Sequence, residues 1–399
     1  MCLNDRYELP SHILALMDRF ASAGEESYLV GGSLRDLMRG ESPHDYDLAT
    51  SATPTKTASL FSDCRVIETG IQHGTVTVIF EGNPIEITTF RQDGDYLDGR
   101  RPESVSFTGR IEEDLARRDF TVNAMAYHPK VGLVDPFGGR MDLEDKVLRG
   151  VGDPHRRIAE DALRIMRAYR FSAQLGFVIE KETAEACRES RDRLSRIAKE
   201  RIAAEFLRLL SSDAPGGVLR QMAEHGVLAY VTGDYVPEED ILTRIGQMPR
   251  EDVARLGFYF ANAHEEYAKK KVRELKLSNQ LQVGVGAVVR GSAVTLSSPA
   301  DARRLIALCG QYAYLGAYAS MLLGRSPEEA VGWVIADRSP SRIGDLAVNG
   351  TDLLSCGFRG REIGETLKLL LDLVLESPER NTKEELLLIA RRIKSEDRS

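Results

Sequence analysis

The sequence predicts an α+β fold, with a mixed sheet and its helices in the N-terminal part and an all-helical remainder. Three observations carry this. Residues 28–30 read as a buried apolar strand that turns at Gly31-Gly32 into a helix over 33–38. Residues 74–80 and 84–90 alternate with a period of two on either side of Glu81-Gly82-Asn83, which is a hairpin signature. Beyond Gly152 the apolar spacing becomes that of helices and stays so to the C-terminus.

Taken in order, residues 11–23 carry apolar positions at Ile13, Leu14, Leu16, Met17 and Phe20, an amphipathic helix for which Ser11 is the expected N-cap. Residues 45–48 (Asp-Tyr-Asp-Leu) read as a strand with Asp45 and Asp47 on one face and Tyr46 on the other. In the second hairpin strand Ile85, Ile87 and Thr89 face one way and Glu86 and Thr88 the other, so Glu86 belongs either to a solvated face or to a site. Residues 92–110 are polar and glycine-rich and read as a long mobile loop. Arg117-Arg118 is expected at the entry of a short helix, and residues 131–134 give a strand before the turn at 135–139. Asp153-Pro154 and Gly176 bracket one expected helix of about twenty residues. Its buried stripe is Ile158, Ala162, Ile165 and Tyr169, with Glu160, Arg164 and Arg167 pointing away and Asp161 at the edge.

Composition narrows the class. A chain of 399 residues holds about two to four domains, and 42% hydrophobic with 29% charged residues is the balance of a globular protein. Asp5, Arg6, Glu8, Asp18 and Arg19 exclude a secretory leader in the first twenty residues, and the longest apolar run, 312–323, is too short for a bilayer. A cytoplasmic protein is expected. The five cysteines are scattered without a Cys-x-x-Cys pair, which indicates reduced thiols and neither a disulfide framework nor a zinc site. A net charge of −8 argues mildly against a nucleic-acid partner, although local patches matter more than the sum.

The candidate chemistry follows from residue types. A Gly-Gly turn opening a helix can hold phosphate on free backbone N–H groups, and two carboxylates about 7 Å apart suit a hard cation such as Mg²⁺. Glu86 is the candidate third carboxylate. Adjacent arginines at 117 and 118 suit a triphosphate because guanidinium binds phosphate bidentately. Asp161 and Arg164, three apart on one helix surface, can act as a unit that reads a base: the carboxylate accepts from an exocyclic amine and the guanidinium donates to a ring nitrogen or carbonyl. Cytosine and adenine match that edge, whereas uracil and guanine present like groups. Arg170 reads no further than a solvated polar face. None of the seven histidines has a spacing that demands catalysis, and His44 is a polar neighbour of Asp45.

Gly31-Gly32-x-x-Arg35-Asp36, Asp45-x-Asp47, RRDFTVNAMA at 117–126, DPFGG at 135–139, EDALRIMRAYRF at 160–171 and LSRIAKERIAAEFLRLL at 194–210 together resemble the class II tRNA nucleotidyltransferases, which include the bacterial CCA-adding enzymes and their close relatives, the A-adding enzymes and poly(A) polymerases. Residues 275–279 and 349–387 carry the resemblance more weakly. It implies a polymerase-β-type nucleotidyltransferase head over 1–152, a helical neck over 153–212 that recognises the base, a helical body over 213–280 and a helical tail over 281–399 that binds tRNA, in a seahorse-like shape. It implies Mg²⁺ on Asp45 and Asp47, with Glu86 as a third catalytic carboxylate. Nucleotide contacts are implied at Gly31, Gly32, Arg35 and Arg118 for triphosphate and ribose, and at Asp161 and Arg164 for the base, with Arg167 and Arg170 nearby. The implied chemistry is two-metal nucleotidyl transfer, one ion activating the tRNA 3′-hydroxyl and the other holding the pyrophosphate leaving group, with no protein nucleophile. The implied partners are tRNA, CTP and ATP, with no membrane and no protein partner beyond a monomer or weak dimer. Basic residues at Lys269, Lys270, Lys271, Arg273 and Lys276, and at Arg359 and Arg361, are the expected tRNA-facing stripe.

Full CCA addition, A addition to CC-ended tRNA and poly(A) synthesis share these motifs. Enzymes of the family that add only CC lack a loop like 92–110, which points away from them. Two readings of other classes compete: a small-molecule nucleotidyltransferase, which has no need of the long helical part, and a non-catalytic RNA-binding protein, which has no need of intact aspartates.

Overall fold

The computed structural model describes residues 7–43, 45–94 and 105–396; the expectations about Cys2, His44 and the middle of the 92–110 segment lie outside them. The chain packs as two compact units, Met1–Leu209 with Glu224–Tyr230, and Leu210–Ala223 with Val231–Ser399.

The first unit is built on a seven-stranded mixed sheet. Helix α1 (Ser11–Ser22) buries Ile13, Leu16, Met17 and Phe20 and leads into β1 (Ser27–Val30), all four residues of which are buried. Pro10, not Ser11, holds the N-cap of α1, and Ser11 is its first residue. Then follow α2 (Gly31–Met38), β2 (Asp47–Thr50), α3 (Pro54–Leu60), β3 (Arg65–Ile67), β4 (Thr75–Phe80) and β5 (Asn83–Thr89). The expected strand at 45–48 begins only at Asp47, and Asp45 lies in the bend before it. The hairpin is present: β4 and β5 pair antiparallel with Phe80 opposite Asn83 across a two-residue turn, whose Glu81 (φ 48°) and Gly82 (φ 82°) both have the positive φ of a type I′ turn.

Strands β6 (Arg91–Asp93) and β7 (Val105–Phe107) pair antiparallel. The two ends of the segment expected to be a loop therefore form a ladder, because backbone hydrogen bonding between them needs no apolar alternation. After α4 (Ile111–Ala116) come β8 (Ala126–His128), β9 (Gly132–Val134), α5 (Gly139–Glu144) and β10 (Val147–Leu148). The sheet order is β3-β4-β5-β2-β1-β8-β9, with β2 and β5 parallel and every other neighbouring pair antiparallel. Tyr28, Val30, Ala49, Phe90, Leu115 and Ala126 meet in the core behind one face, the burial of a large member such as Val30, Phe90 or Leu115 contributing about 1.5–3 kcal/mol against leaving the side chain in water.

The helix expected across 153–176 is two helices, α6 (Pro154–Glu160) and α7 (Leu163–Leu175). Asp153 caps the first through His155 N and Arg156 N, and Gly176 (φ 69°) ends the second, as expected. Between them Asp161 is extended, with φ −140° and ψ 106°. Its side chain accepts from Leu163 N at 2.9 Å, so it starts a new helix instead of continuing the old one. The stripe Ile158, Ala162, Ile165 and Tyr169 is buried nonetheless. Strand β11 (Val178–Ile179) pairs with β10, and α8 (Lys181–Glu189) and α9 (Lys199–Leu210) follow.

The second unit is helical throughout its described residues. The helix Asn279–Ser292 is its hub, and Gly291 lies so close to Gly316 of Ala313–Leu322 that a Cβ would stand 2.7 Å from the Gly316 Cα. A separate apolar cluster, including Val348, Leu353, Phe358 and Leu370, organises the C-terminal helices. The stretch Pro299–Leu322 is long and apolar enough by composition to cross a membrane, yet half of it is buried inside the protein, and Gly310 interrupts it after Cys309. Cys64, Cys187, Cys309 and Cys356 are free thiols.

Candidate active site

A cleft of 490 Å³ opens in the first unit between the edge of β1–β2–β5, the end of α4, and the α6–α7 break. Its floor starts at Gly31, whose φ of 69° lets the chain leave β1 and enter α2 at once; a Cβ there would meet Arg118 Nη1 at 3.1 Å. Ser33 Oγ donates to Val30 O at 2.9 Å and accepts from Asp47 N at 3.4 Å, which ties the start of α2 to the start of β2. Arg35, on the same helix, donates to Asp36 Oδ1 (2.7 Å) and to Asn123 Oδ1 (2.8 Å).

Asp47 and Glu86 are direct partners in the parallel register of β2 and β5 and both line the cleft. Asp45 is exposed two residues before Asp47 and does not line the cavity itself. Asp47 opens onto the cleft, but protein surrounds its base. That desolvation, reinforced by the Glu86 charge and opposed by Arg118, raises its carboxyl to about 6. Among the described residues no donor reaches the side chains of Asp45, Asp47 or Glu86, and no group of three His, Cys, Asp or Glu side chains is gathered as a ready cation cage. An unpartnered, mutually repelling carboxylate pair of hard oxygen donors nevertheless fits a divalent cation that keeps water and phosphate oxygens as its other ligands.

The opposite wall is cationic. Arg117 and Arg118 leave the C-terminal end of α4, where a cation is favoured by the helix dipole, instead of opening a helix as expected; the next helical turn is Thr121–Asn123. Arg118 donates to Asn123 O at 3.2 Å and its Nε is buried without a partner. Asp119, 8% exposed, accepts from Arg167 Nε at 2.7 Å and Asn123 Nδ2 at 3.2 Å. Burial alone would raise the Asp119 carboxyl, but the charges of Arg167 and Arg164 and these hydrogen bonds outweigh it and hold it at about 2. Asp119 in turn raises Arg167. The chain Arg35, Asn123, Asp119, Arg167 thus ties α2 to α7, and the Phe171 ring lies 5.4 Å from the Arg35 and 5.3 Å from the Arg167 guanidinium.

The third wall holds Asp161, Arg164 and Arg201. Arg164 does not point out to solvent as the single-helix reading placed it. The break turns it inward, 9% exposed, with Nη1 on Arg157 O and Glu160 Oε2 and Nη2 on Arg117 O, all at 2.8 Å. Asp161 Oδ2 accepts from Arg201 Nη2 at 2.9 Å, and Arg201 Nη1 is buried without a partner. Arg170 is a correction: it is buried away from the cleft, paired with Glu205, bonded to Gln174 and stacked 3.7 Å over Phe171, because it falls on the packed side of α7. Burial lowers its pKa, offset in part by Glu205.

Residue-by-residue reading of the sequence missed Asp119, Asn123 and Arg201. An acid directly behind two arginines in an otherwise apolar run was the available signal for the first. For Arg201, forty residues from Asp161, local spacing carries none.

Comparison with known proteins identifies the family. Residues 27–149 match the family described as Poly A polymerase head domain, and 176–236 that described as Probable RNA and SrmB-binding site of polymerase A. A CCA-adding enzyme of Latilactobacillus sakei subsp. sakei is 34% identical over 387 residues, covering 95% of this chain and 97% of that one. The chain belongs to the CCA-adding enzyme family. The Leuconostoc mesenteroides CCA-adding enzyme is 40% identical over 280 residues, 69% of either chain. Among solved structures, the Bacillus stearothermophilus CCA-adding enzyme in complex with CTP superposes with a TM-score of 0.81 at 29% identity, over 97% of this chain and 98% of that one. The Thermotoga maritima CCA-adding enzyme complexed with tRNA, at 22% identity and a TM-score of 0.66 over 96% and 95%, shares the fold.

As a member of that family the chain is a nucleotidyltransferase, and the α+β head with a helical remainder is the fold expected from its sequence.

Proposed function

We propose that this protein adds CCA to the 3′ end of tRNA from CTP and ATP, without a nucleic-acid template. The observation that carries the reading is the cleft itself, in which the Asp47–Glu86 carboxylate edge faces Arg35, Arg118 and Arg167 while Asp161 and Arg164 close the third side.

The N–H groups at the start of α2, with Gly31 and Gly32 leaving room for close approach, and the Arg35 and Arg118 guanidinium groups hold the triphosphate. In the transfer the 3′-oxygen of the tRNA attacks the α-phosphorus, the bond to pyrophosphate breaks, and the hydroxyl proton passes to solvent water. A divalent cation, Mg²⁺ in our reading, would be held by Asp45 and Asp47 with Glu86 beside them, and when bound it supplies the positive charge that acidifies the hydroxyl and offsets the leaving group. Asp161 keeps free lone pairs after Leu163 N and Arg201, and Arg164 keeps its Nε–H and one Nη2–H. Those groups match the pairing edges of cytosine and adenine and confront like groups on uracil and guanine.

The helical unit binds tRNA in this reading. Its basic stripe is thinner than its composition: Lys269 pairs with Glu265 and Glu266, and Lys270 and Lys271 with Glu274. Arg273 and Lys276, both exposed and outside those pairs, are the better candidates, whereas Arg361 is exposed but paired with Glu365 at 3.0 Å. The reaction belongs to the cytoplasm, with tRNA and nucleotides as the partners and a monomer or weak dimer as the acting species.

Incubation of the protein with tRNA transcripts ending at the discriminator base, or in CC, with CTP, ATP and Mg²⁺ tests the reading. Three added nucleotides on the first transcript are expected. Extension of the CC-ended transcript alone replaces CCA addition by A addition, and a long A tail by poly(A) synthesis.

A further inference from the structure

Asp114, on α4, is completely buried, yet its carboxylate serves none of the roles assigned above. Oδ1 accepts from Arg117 Nε (3.0 Å) and Nη2 (2.7 Å) and from the backbone N of Arg91 (3.3 Å), and Oδ2 accepts from Arg118 Nη2 (3.2 Å). Burial pushes this carboxyl up, and the charges and hydrogen bonds of the two arginines outweigh it and keep it ionised.

Each donor leads somewhere different. Arg118 faces the cleft, and its guanidinium is fixed between Asp114, Asn123 O and the bare Cα of Gly31. Arg117 is clamped by its side chain, while its own carbonyl accepts from Arg164 Nη2. Arg157 Nη1 holds the preceding carbonyl, that of Ala116, at 3.0 Å. Arg91 opens β6, which pairs with β7. One carboxylate therefore bears on the triphosphate side of the cleft through Arg118, on the base side through Arg117 and Arg164, and on the base of the β6–β7 pair.

We propose that Asp114 is a positioning residue that sets the triphosphate grip and the base-reading geometry together. A buried ion pair is weak evidence for a stabilising role, since apolar replacements often fold as well. Its worth here is orientational: without the negative charge, two adjacent guanidinium groups repel, Arg118 leaves its seat, and the carbonyl that anchors Arg164 shifts. Misplacement of such groups by about 1 Å costs on the order of a hundredfold in rate. The inference deepens the proposed function and rests on it.

The test uses the full-length protein in single-nucleotide incorporation on a transcript ending at the discriminator base. Asp114→Asn, with a folded circular-dichroism spectrum, is expected to raise the KM for CTP about tenfold and to lower the preference for CTP over UTP about tenfold, the mark of lost positioning and not of a smaller folded fraction, which would lower kcat alone. Arg117→Met is expected to lose the same selectivity, and the double variant to lose no more than Arg117→Met, because Asp114 acts on Arg164 through Arg117. A folded Asp114→Asn with parental KM and selectivity overturns the inference, and so does a double variant whose selectivity losses multiply. Should Asp114→Asn fail to fold, parental selectivity in Arg117→Met overturns it equally. A parent protein that incorporates neither CTP nor ATP refutes the proposed function and this inference with it, whereas an active parent beside an unaffected Asp114→Asn refutes the positioning role alone.

Discussion

Replacing Gly31 or Gly32 by alanine separates backbone strain from ligand access at two adjacent positions. At Gly31 the φ of 69° puts an alanine in the left-handed region, at a cost of roughly 1–2 kcal/mol. The added methyl also meets Arg118 Nη1 at 3.1 Å, so that guanidinium must give by a few tenths of an ångström. Gly32 has an ordinary φ, and its added Cβ finds Arg35 Nη2 at 3.6 Å, which is van der Waals contact. Alanine there gains about 0.5–1 kcal/mol of helix propensity over glycine. The two variants should therefore differ by about 2 kcal/mol, or roughly 4–8 °C in the melting temperature of a unit of this size. Both should bind CTP more weakly, since each methyl stands where a phosphate approaches the N–H groups of α2. Calorimetry of the two proteins with and without CTP reads both effects. A Gly31→Ala protein that melts at or above Gly32→Ala refutes the strain argument, and parental CTP affinity in both removes the triphosphate from this turn.

The other expectations concern charge. Asp47→Asn should abolish incorporation of radiolabelled CTP, as should chelation of divalent ions, while tRNA affinity is retained; Mg²⁺-dependent incorporation by the variant defeats the metal assignment. Asp119, held at about 2 in the folded protein, contributes stability that is fully present above its unfolded pKa of about 4 and is lost as pH falls from there toward 2, about 2 kcal/mol in all; the urea-midpoint gap between the parent and Asp119→Asn should narrow over that window and be flat from pH 5 to 8. Arg255 is completely buried in the second unit with its donors on the carbonyls of Leu210, Ser212, Gly246, Met248 and Pro249, so Arg255→Met should cost about 3 kcal/mol or more by stranding those acceptors, and a variant of parental stability would contradict that.

What the sequence made legible, and what it hid, divides along local and nonlocal interactions. The Gly-Gly turn, the β4–β5 hairpin and the face on which Glu86 lies follow from neighbours in the chain, and all are in the structure. The α6–α7 break was hidden because Asp161 fits a helical pattern by spacing, and only its bond to Leu163 N with the pull of Arg201 shows that the helix stops there. The same break inverted the reading of Arg164, since a residue placed on the outer face of a continuous helix turns inward once the helix restarts. Arg170 looked solvated because nothing near it in sequence announces Glu205, its partner across the packed helices. The pairing of β6 with β7 is likewise backbone chemistry, invisible to a reading of side-chain pattern.

The acidic sum of the chain and its reading as a nucleic-acid enzyme are reconciled at the cleft. A net charge of −8 spread over 399 residues is screened within about 10 Å at ordinary ionic strength, so an approaching triphosphate responds to the groups nearest it. Those lining the cleft are Arg35, Arg117, Arg118, Arg164, Arg167 and Arg201 against Asp47, Glu86, Asp119 and Asp161, six positive and four negative. The opposing charges are not mixed evenly. Asp119 and Asp161 are already paired with Arg167 and Arg201, while Asp47 and Glu86 stand together across one strand pair without a cationic partner. A polyanion entering alone would be repelled by that carboxylate edge and attracted by the arginine wall. Entering with a divalent cation it satisfies both, which is why the site should bind the metal complex of the nucleotide in preference to the free nucleotide. The dependence of CTP affinity on Mg²⁺ should accordingly weaken in Asp47→Asn, where the edge keeps only the Glu86 charge of the pair, and a dependence that persists unchanged in that variant would place the cation elsewhere.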